Sequence, residues 1–242
     1  MASAYDGTDS PKVRWWQYLL SLQKLSRESP HEHQFPAMAV SYARESITAD
    51  EALQRLMTGN ARFMRGELQF GSLPKEVFSE LAKGQAPYAM ILGCADSRVP
   101  PELIFGAGFG ELFVVRVAGN VISPEVAGSL QYAGVHLHTP LLVVLGHEKC
   151  GAVAAALETK LLGAQQHSRI QALVDALLPA LEHLDGQASP EQQLAQAVEA
   201  NVRHTIAQIL ATPEGQARQA EGRMKIVGAI YEIATGRVRF LE

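Results

Sequence analysis

The chain has 242 residues, 47% of them apolar and 19% charged, with a formal net charge of −4. That composition suits a soluble globular protein with a sizeable core, and the slight acidity argues against a nucleic-acid binder or a ligand of anionic membranes. No apolar run approaches the ~20 residues of a membrane-spanning helix. The opening "MASAYDGTDSPKVRWW" lacks the basic, apolar and small-residue segments of a secretory signal, so the expectation is a cytoplasmic protein, or one held within a bacterial microcompartment.

Residues 13–25, "VRWWQYLLSLQKL", are predicted to form an amphipathic helix. It reads either as an arm packed on the body or on another subunit, or, over residues 12–27, as a docking peptide for a partner, a compartment shell or a membrane surface. The polar linker "ESPHEHQFPAM" follows, and its His31 and His33 lack a third ligand and read as solvated. A boundary near Ser46 gives an N-terminal helical arm and linker over 1–46 and a single α/β domain over 47–242.

That domain opens with a capping box, Thr48-Ala-Asp-Glu51. Leu53, Leu56, Met57 and Phe63 follow at helical spacing, and Gly66 is the stop. Strands are predicted over 88–94, 112–117, 140–146 and 225–233, with 237–241 returning through a turn at "ATG". The third, "PLLVVLG", is apolar throughout, as in a strand buried on both faces. A helix starts at Ser123-Pro-Glu. A long helical stretch covers 151–211, broken near Gly163 and again at "DGQASPEQQ", where Ser189 starts the last helix. Alternating strands and helices imply a mainly parallel β-sheet core flanked by helices. "GAGFGE" precedes a strand and lacks dinucleotide-loop spacing, so it reads as a turn.

Two stretches carry chemistry. "GCADSRVP" sets Cys94, Asp96 and Arg98 at alternate positions just past a strand. "LGHEKCGAV" sets His147 and Cys150 three apart where a buried strand gives way to a helix. Ligands of open α/β sheets sit at the carboxyl ends of the strands, so Cys94, His147 and Cys150 can converge. Two thiolates and an imidazole select zinc over magnesium or calcium, and three protein ligands with a fourth position open is the catalytic pattern. A helix start should favour the thiolate of Cys150. The only cysteines are these two, and an intracellular setting argues against a disulfide between them.

"CADSRVP" followed by "GHEKCGAV" resembles the C-x-D-x-R … H-x-x-C pattern of the β-class carbonic anhydrases. "GELFVVRVAGN" and "GSLQYAG" extend the resemblance over roughly 47–242. It implies one zinc ion per chain on Cys94, His147 and Cys150, with Asp96 and Arg98 as a catalytic dyad. The implied reaction is reversible hydration of carbon dioxide to bicarbonate and a proton by a zinc-bound hydroxide. Gln85, Phe113 and Tyr132 match pocket positions, and Gly151 is placed to offer its backbone N–H to bicarbonate. In the family the Gln and Tyr come from across an interface, implying a homodimer or higher even oligomer with sites at the subunit boundary. Arg98 holds Asp96 ionised, and release of that pair would let Asp96 close the metal site, as in some family members.

The chain departs from the pattern at Val117, where the family often has Asn, and at Ala118, where a pocket Val is usual. Members regulated by a second bicarbonate use a Trp, an Arg and a Tyr. Arg116 and Tyr231 match, but Ile91 stands in place of the Trp, so no such regulation is expected. Two other readings remain: a carbonyl sulfide or carbon disulfide hydrolase on the same scaffold, and a non-catalytic zinc-stabilised binding or shell-docking protein. Because two thiolates neutralise the metal's charge, its water should be less acidic than the pKa of about 7 found in a three-histidine site. Hydration should therefore accelerate as pH rises above neutral, and a flat stopped-flow rate from about pH 6 to 9 would contradict the assignment.

Overall fold

A computed structural model describes residues 47–67, 75–184, 186–222 and 224–241. The predicted arm and linker over 1–46, with its docking stretch at 12–27 and His31 and His33, lies outside the described residues.

Five strands form one sheet: β1 (Ala89–Gly93), β2 (Leu112–Arg116), β3 (Leu141–His147), β4 (Lys225–Tyr231) and β5 (Val238–Phe240). Their order is β2-β1-β3-β4-β5, parallel except for the antiparallel pair β4–β5. All five predicted strands are present, with ends shifted by one or two residues. Every position of β1 and β3 is buried, as their unbroken apolar sequences require. From β1 the chain passes to one side to make β2, then crosses back to make β3 on the other. The β1–β3 junction is thus a switch point, where a crevice opens beyond the carboxyl ends.

The helices are α1 (Ala49–Met64), α2 (Lys75–Leu81), α3 (Pro101–Ile104), α4 (Pro124–Val135), α5 (Gly151–Leu162), α6 (Arg169–Leu177), α7 (Pro190–Leu210) and α8 (Pro213–Ala220). Thr48 and Glu51 cap α1 reciprocally, and Ser189 and Gln192 do the same for α7. Ser123 caps α4, and the αL residue Gly163 ends α5. The expectation that Ser189 starts the last helix is corrected: α8 follows it, capped by Thr212 with Pro213 at its first turn. It has little apolar periodicity, which is why the pattern missed it. Thr205 and Asn201 face inward on α7 among Ala197, Val198 and Val202.

One sheet face packs on Ala52 and Leu56 of α1 and on Ile104 and Phe105 after α3. The other is covered by α4 and α7, while α5, α6 and α7 enclose a cluster that contains Cys94 and Cys150. Asn60, 3% exposed, ties α1 to the body. Its Nδ2 donates to Ile104 O (3.2 Å) and Gly236 O (2.8 Å), and its Oδ1 accepts from Val238 N (2.9 Å). Asn60→Ala leaves two buried backbone groups and one partly buried carbonyl without their partner. It should lower unfolding stability by about 3 kcal/mol, read as a lower urea midpoint with an unchanged slope.

Candidate metal centre

Beyond Gly93 the chain turns at once through Cys94, Asp96 and Arg98. Arg116, the last residue of β2, secures this loop: its Nε donates to Cys94 O at 2.9 Å and its Nη2 to Asp96 O. Val117 N donates to Gly93 O (3.1 Å) and Val99 N to Asp96 O (3.1 Å). The sequence pattern points Arg116 only to a regulatory position; in the structure its guanidinium holds the backbone that carries Cys94 and Asp96.

The second loop leaves β3 at His147. Glu148 N donates to Tyr231 O (3.0 Å), Lys149 takes a φ of 53°, and Cys150 is the residue before α5. This tight turn brings His147 and Cys150 to the same side. His147 is fully buried, and its Nδ1 lies 2.8 Å from Glu148 O. A carbonyl only accepts, so Nδ1 carries the proton and Nε2 presents its lone pair. Nε2 is buried without a hydrogen-bond partner among the described residues.

Cys94 Sγ, Cys150 Sγ and a His147 ring nitrogen lie within 4.8 Å of one another, and the two sulfurs are 4.0 Å apart. All three residues are buried. A bare imidazole nitrogen facing two thiols fits a zinc ion: the donors are soft to borderline and the orphaned nitrogen lacks only a metal. Where the two sulfurs share one proton, Cys94 is the thiolate side. Cys150 S–H, His147 and the backbone N–H groups of Gly119 and Asp96 push its pKa down against the opposing effect of burial. Cys150 is pushed up, first by its bond to Cys94, then by burial and by the Cys94 charge. The backbone N–H groups of Val153 and Ala152 act on Cys150 in the expected direction, but they are outweighed.

Asp96 is paired with Arg98. Arg98 Nε and N each donate to Oδ1 at 2.9 Å, and Nη2 donates to Oδ2 at 2.7 Å. These bonds, above all the side-chain ones, hold the carboxyl well below the usual carboxylate range. Arg98 also reaches Lys149 O at 3.3 Å, linking the two loops. Asp96 Oδ2 stands 3.9 Å from His147 Nε2, so the carboxylate borders the donor cluster.

Six of the nine residues singled out from the sequence therefore gather here: Cys94, Asp96, Arg98, His147, Cys150 and Gly151. Gly151 opens α5, and open space lies above its Cα. The other three lie elsewhere in the chain. Gln85 is exposed before β1, at the amino edge of the sheet, about 16 Å of strand from the carboxyl edge. Phe113 sits one position into β2, its ring 6.3 Å from that of the half-exposed Tyr132 on α4. Gly119, whose N–H donates to Cys94 Sγ, and Asn201, which donates to Gly119 O, carried no sequence signal. The contact joins residues 82 apart and leaves no local pattern.

Soft ligands at the carboxyl edge of an open α/β sheet, beside a buttressed carboxylate, define the architecture of a metalloenzyme. The sequence model of the carbonic anhydrase family matches residues 89–238. Carbonic anhydrase 2 of Mycobacterium tuberculosis is 40% identical over 187 residues, covering 77% of this chain and 89% of that relative. The carbonic anhydrase of Pseudomonas aeruginosa is 32% identical over 203 residues, covering 78% and 88%. Among solved structures, one of two tetrameric β-carbonic anhydrases from Sordaria macrospora superposes with a TM-score of 0.62 at 29% identity, covering 68% of this chain and 85% of that one. The Coccomyxa β-carbonic anhydrase in complex with acetazolamide also superposes with a TM-score of 0.62, at 31% identity over 68% and 76% of the two chains. The chain belongs to the β-class carbonic anhydrase family and is an enzyme, a carbonic anhydrase.

If the cluster holds zinc, Cys94→Ala should purify with zinc reduced to a trace while the wild type carries about one ion per chain. Full zinc in Cys94→Ala, measured by elemental analysis, would show the ligand assignment to be wrong.

Proposed function

We propose that the chain hydrates carbon dioxide reversibly to bicarbonate and a proton, with zinc held by Cys94, His147 and Cys150. When bound there, the metal supplies a Lewis acid that makes water acidic enough to react near neutral pH. The observation that carries the reading is the pairing of Asp96 with Arg98 immediately beside the three donor atoms. A carboxylate kept ionised by a guanidinium is an acceptor only. It takes a hydrogen bond from the attacking water and fixes the direction of the remaining lone pair toward the carbon of carbon dioxide. The proton released by the water goes to solvent. Arg98 keeps Asp96 in that role by occupying both carboxylate oxygens. The N–H of Gly151, at the start of α5, is a donor for the bicarbonate oxygens.

The proposed active unit is a homodimer or a higher even oligomer. Gln85 and Tyr132 lie away from Cys94 in one chain and would reach the site of a neighbouring copy, while Phe113 is proposed as a pocket residue. The tetrameric relatives from Sordaria macrospora support an oligomer. The proposed location is the cytoplasm, on the sequence reading alone. A docking role for residues 12–27 is not part of this reading.

Stopped-flow hydration with parallel zinc analysis tests the assignment. Asp96→Asn keeps the shape but cannot accept in the same way, so it should retain zinc near one per chain and lose about 100-fold or more in kcat. A zinc-replete Asp96→Asn enzyme with wild-type turnover would remove Asp96 from the mechanism. A zinc-loaded wild type inert toward carbon dioxide would remove the reaction itself.

A further inference from the structure

We infer that Asn201 and Thr205 of α7 are positioning residues for the metal centre, holding the Gly119 N–H on the sulfur of Cys94. The inference rests on the reading of Cys94 as a metal ligand.

After β2 the chain makes one short turn, Ala118–Asn120. Gly119 has φ 69° and Asn120 has φ 44°, two successive left-handed residues. Asn120 is not a glycine, and such backbone persists only where its surroundings enforce it. The result of this conformation is that Gly119 N points at Cys94 Sγ, 3.3 Å away. A side chain would be crowded at this point, on backbone that already disfavours one: a Cβ on Gly119 would lie 3.1 Å and 3.2 Å from the Leu177 methyls and 3.3 Å from the Ala152 Cβ.

Two polar side chains from α7 grip the turn. Asn201 Nδ2 donates to Gly119 O at 2.8 Å, and Thr205 Oγ1 donates to Asn120 O at 3.4 Å. They lie four apart, on the same face of the helix. That face is otherwise the apolar contact with the sheet, and the two are 2% and 1% exposed. A buried amide in such a place is unfavourable unless bonded, and the Asn201 amide bonds to the residue whose N–H touches the Cys94 sulfur. From the other side, Asn120 N donates to Val117 O at 2.9 Å. The Gly119–Asn120 peptide is thus held at both its C=O and its N–H. Asn120 contributes through its backbone, since its own Nδ2 is buried without a partner among the described residues.

The chemical consequence follows from what an N–H does to a thiolate. It stabilises the sulfur lone pair and reduces its donation to a metal. A metal held there would be the stronger Lewis acid for it, so these helix residues would set the reactivity of the centre without touching it. A looser turn would leave the sulfur more basic. It would also hold that sulfur less firmly in place beside the other two donors, which lowers metal affinity.

The test uses the full chain as wild type, Asn201→Leu and Thr205→Val, each loaded with Co2+ for spectroscopy and with zinc for kinetics. The sulfur-to-cobalt charge-transfer band should move to lower energy in both variants, more in Asn201→Leu. The pH midpoint of hydration should rise in the same order, and zinc affinity should fall about 10-fold in Asn201→Leu. A band and a midpoint at wild-type positions, even with reduced thermal stability, would reduce both residues to packing and overturn the inference. If Asn201→Leu does not fold, Thr205→Val decides, because it removes a single hydroxyl from a long bond. A folded wild type that takes up no Co2+ or zinc would overturn the metal-centre reading, and this inference with it.

Discussion

The structure depends on holding two sulfurs 4.0 Å apart, with a bare imidazole nitrogen beside them, inside the protein. Nothing in local preference favours this arrangement. Two thiolates repel, and an unpaired ring nitrogen gives up its hydrogen bond to water without replacement. The donors come from two loops that are 53 residues apart at their nearest ligands by sequence number, Cys94 and His147. They can be kept together only if both loops leave rigid, adjacent supports. The parallel pair β1–β3 supplies these: its strands are buried at every position, and both end at the same edge. The rest of the fold exists around that requirement, with helices covering both faces so that neither strand needs a polar side.

Each loop is then held by contacts that do not involve the ligand side chains. Arg116 clamps two carbonyls of the first, and Tyr231 O takes the Glu148 N–H of the second. Arg98 bridges them through Lys149 O. Arg116 and Tyr231 come from β2 and β4, the strands flanking the central pair. Ligand geometry is thus fixed by the whole width of the parallel sheet.

How much of this was legible depends on whether the determining contact is local. The strands announced themselves through apolar runs and β-branched residues, and α1, α4 and α7 through Thr48, Ser123 and Ser189. These signals act over three or four residues. The donor cluster was legible because a cysteine, or a histidine and a cysteine at short spacing, directly followed a predicted strand, and strand ends converge in this class of sheet. The family resemblance then supplied the roles of Asp96 and Arg98, which spacing alone could not. Asn201 was not legible: a lone amide in a helix has no signature, and its partner Gly119 is fixed only by tertiary folding. α8 escaped because its sequence "PEGQARQA" has no apolar stripe to read. Gln85, Phe113 and Tyr132 were named by resemblance, and one chain leaves them apart from the metal centre.

The Asp96–Arg98 pair differs in kind from the backbone clamps. The Arg98 side chain is 48% exposed and that of Asp96 18%, so water competes for the guanidinium at all times. The bonds that Arg116 makes fall on carbonyl oxygens of the loop and do not depend on where the carboxylate points. Swinging Asp96 away from Arg98 would therefore break exposed side-chain bonds and leave the loop in place. That separation lets a carboxylate next to a metal centre change partners without displacing the ligand two residues before it. In the state described here three bonds hold Asp96 on Arg98, two of them from the guanidinium and one from the backbone. The backbone bond is the one that a swing of the guanidinium alone would not remove. It therefore biases Asp96 toward returning to the paired state once the guanidinium is again in reach.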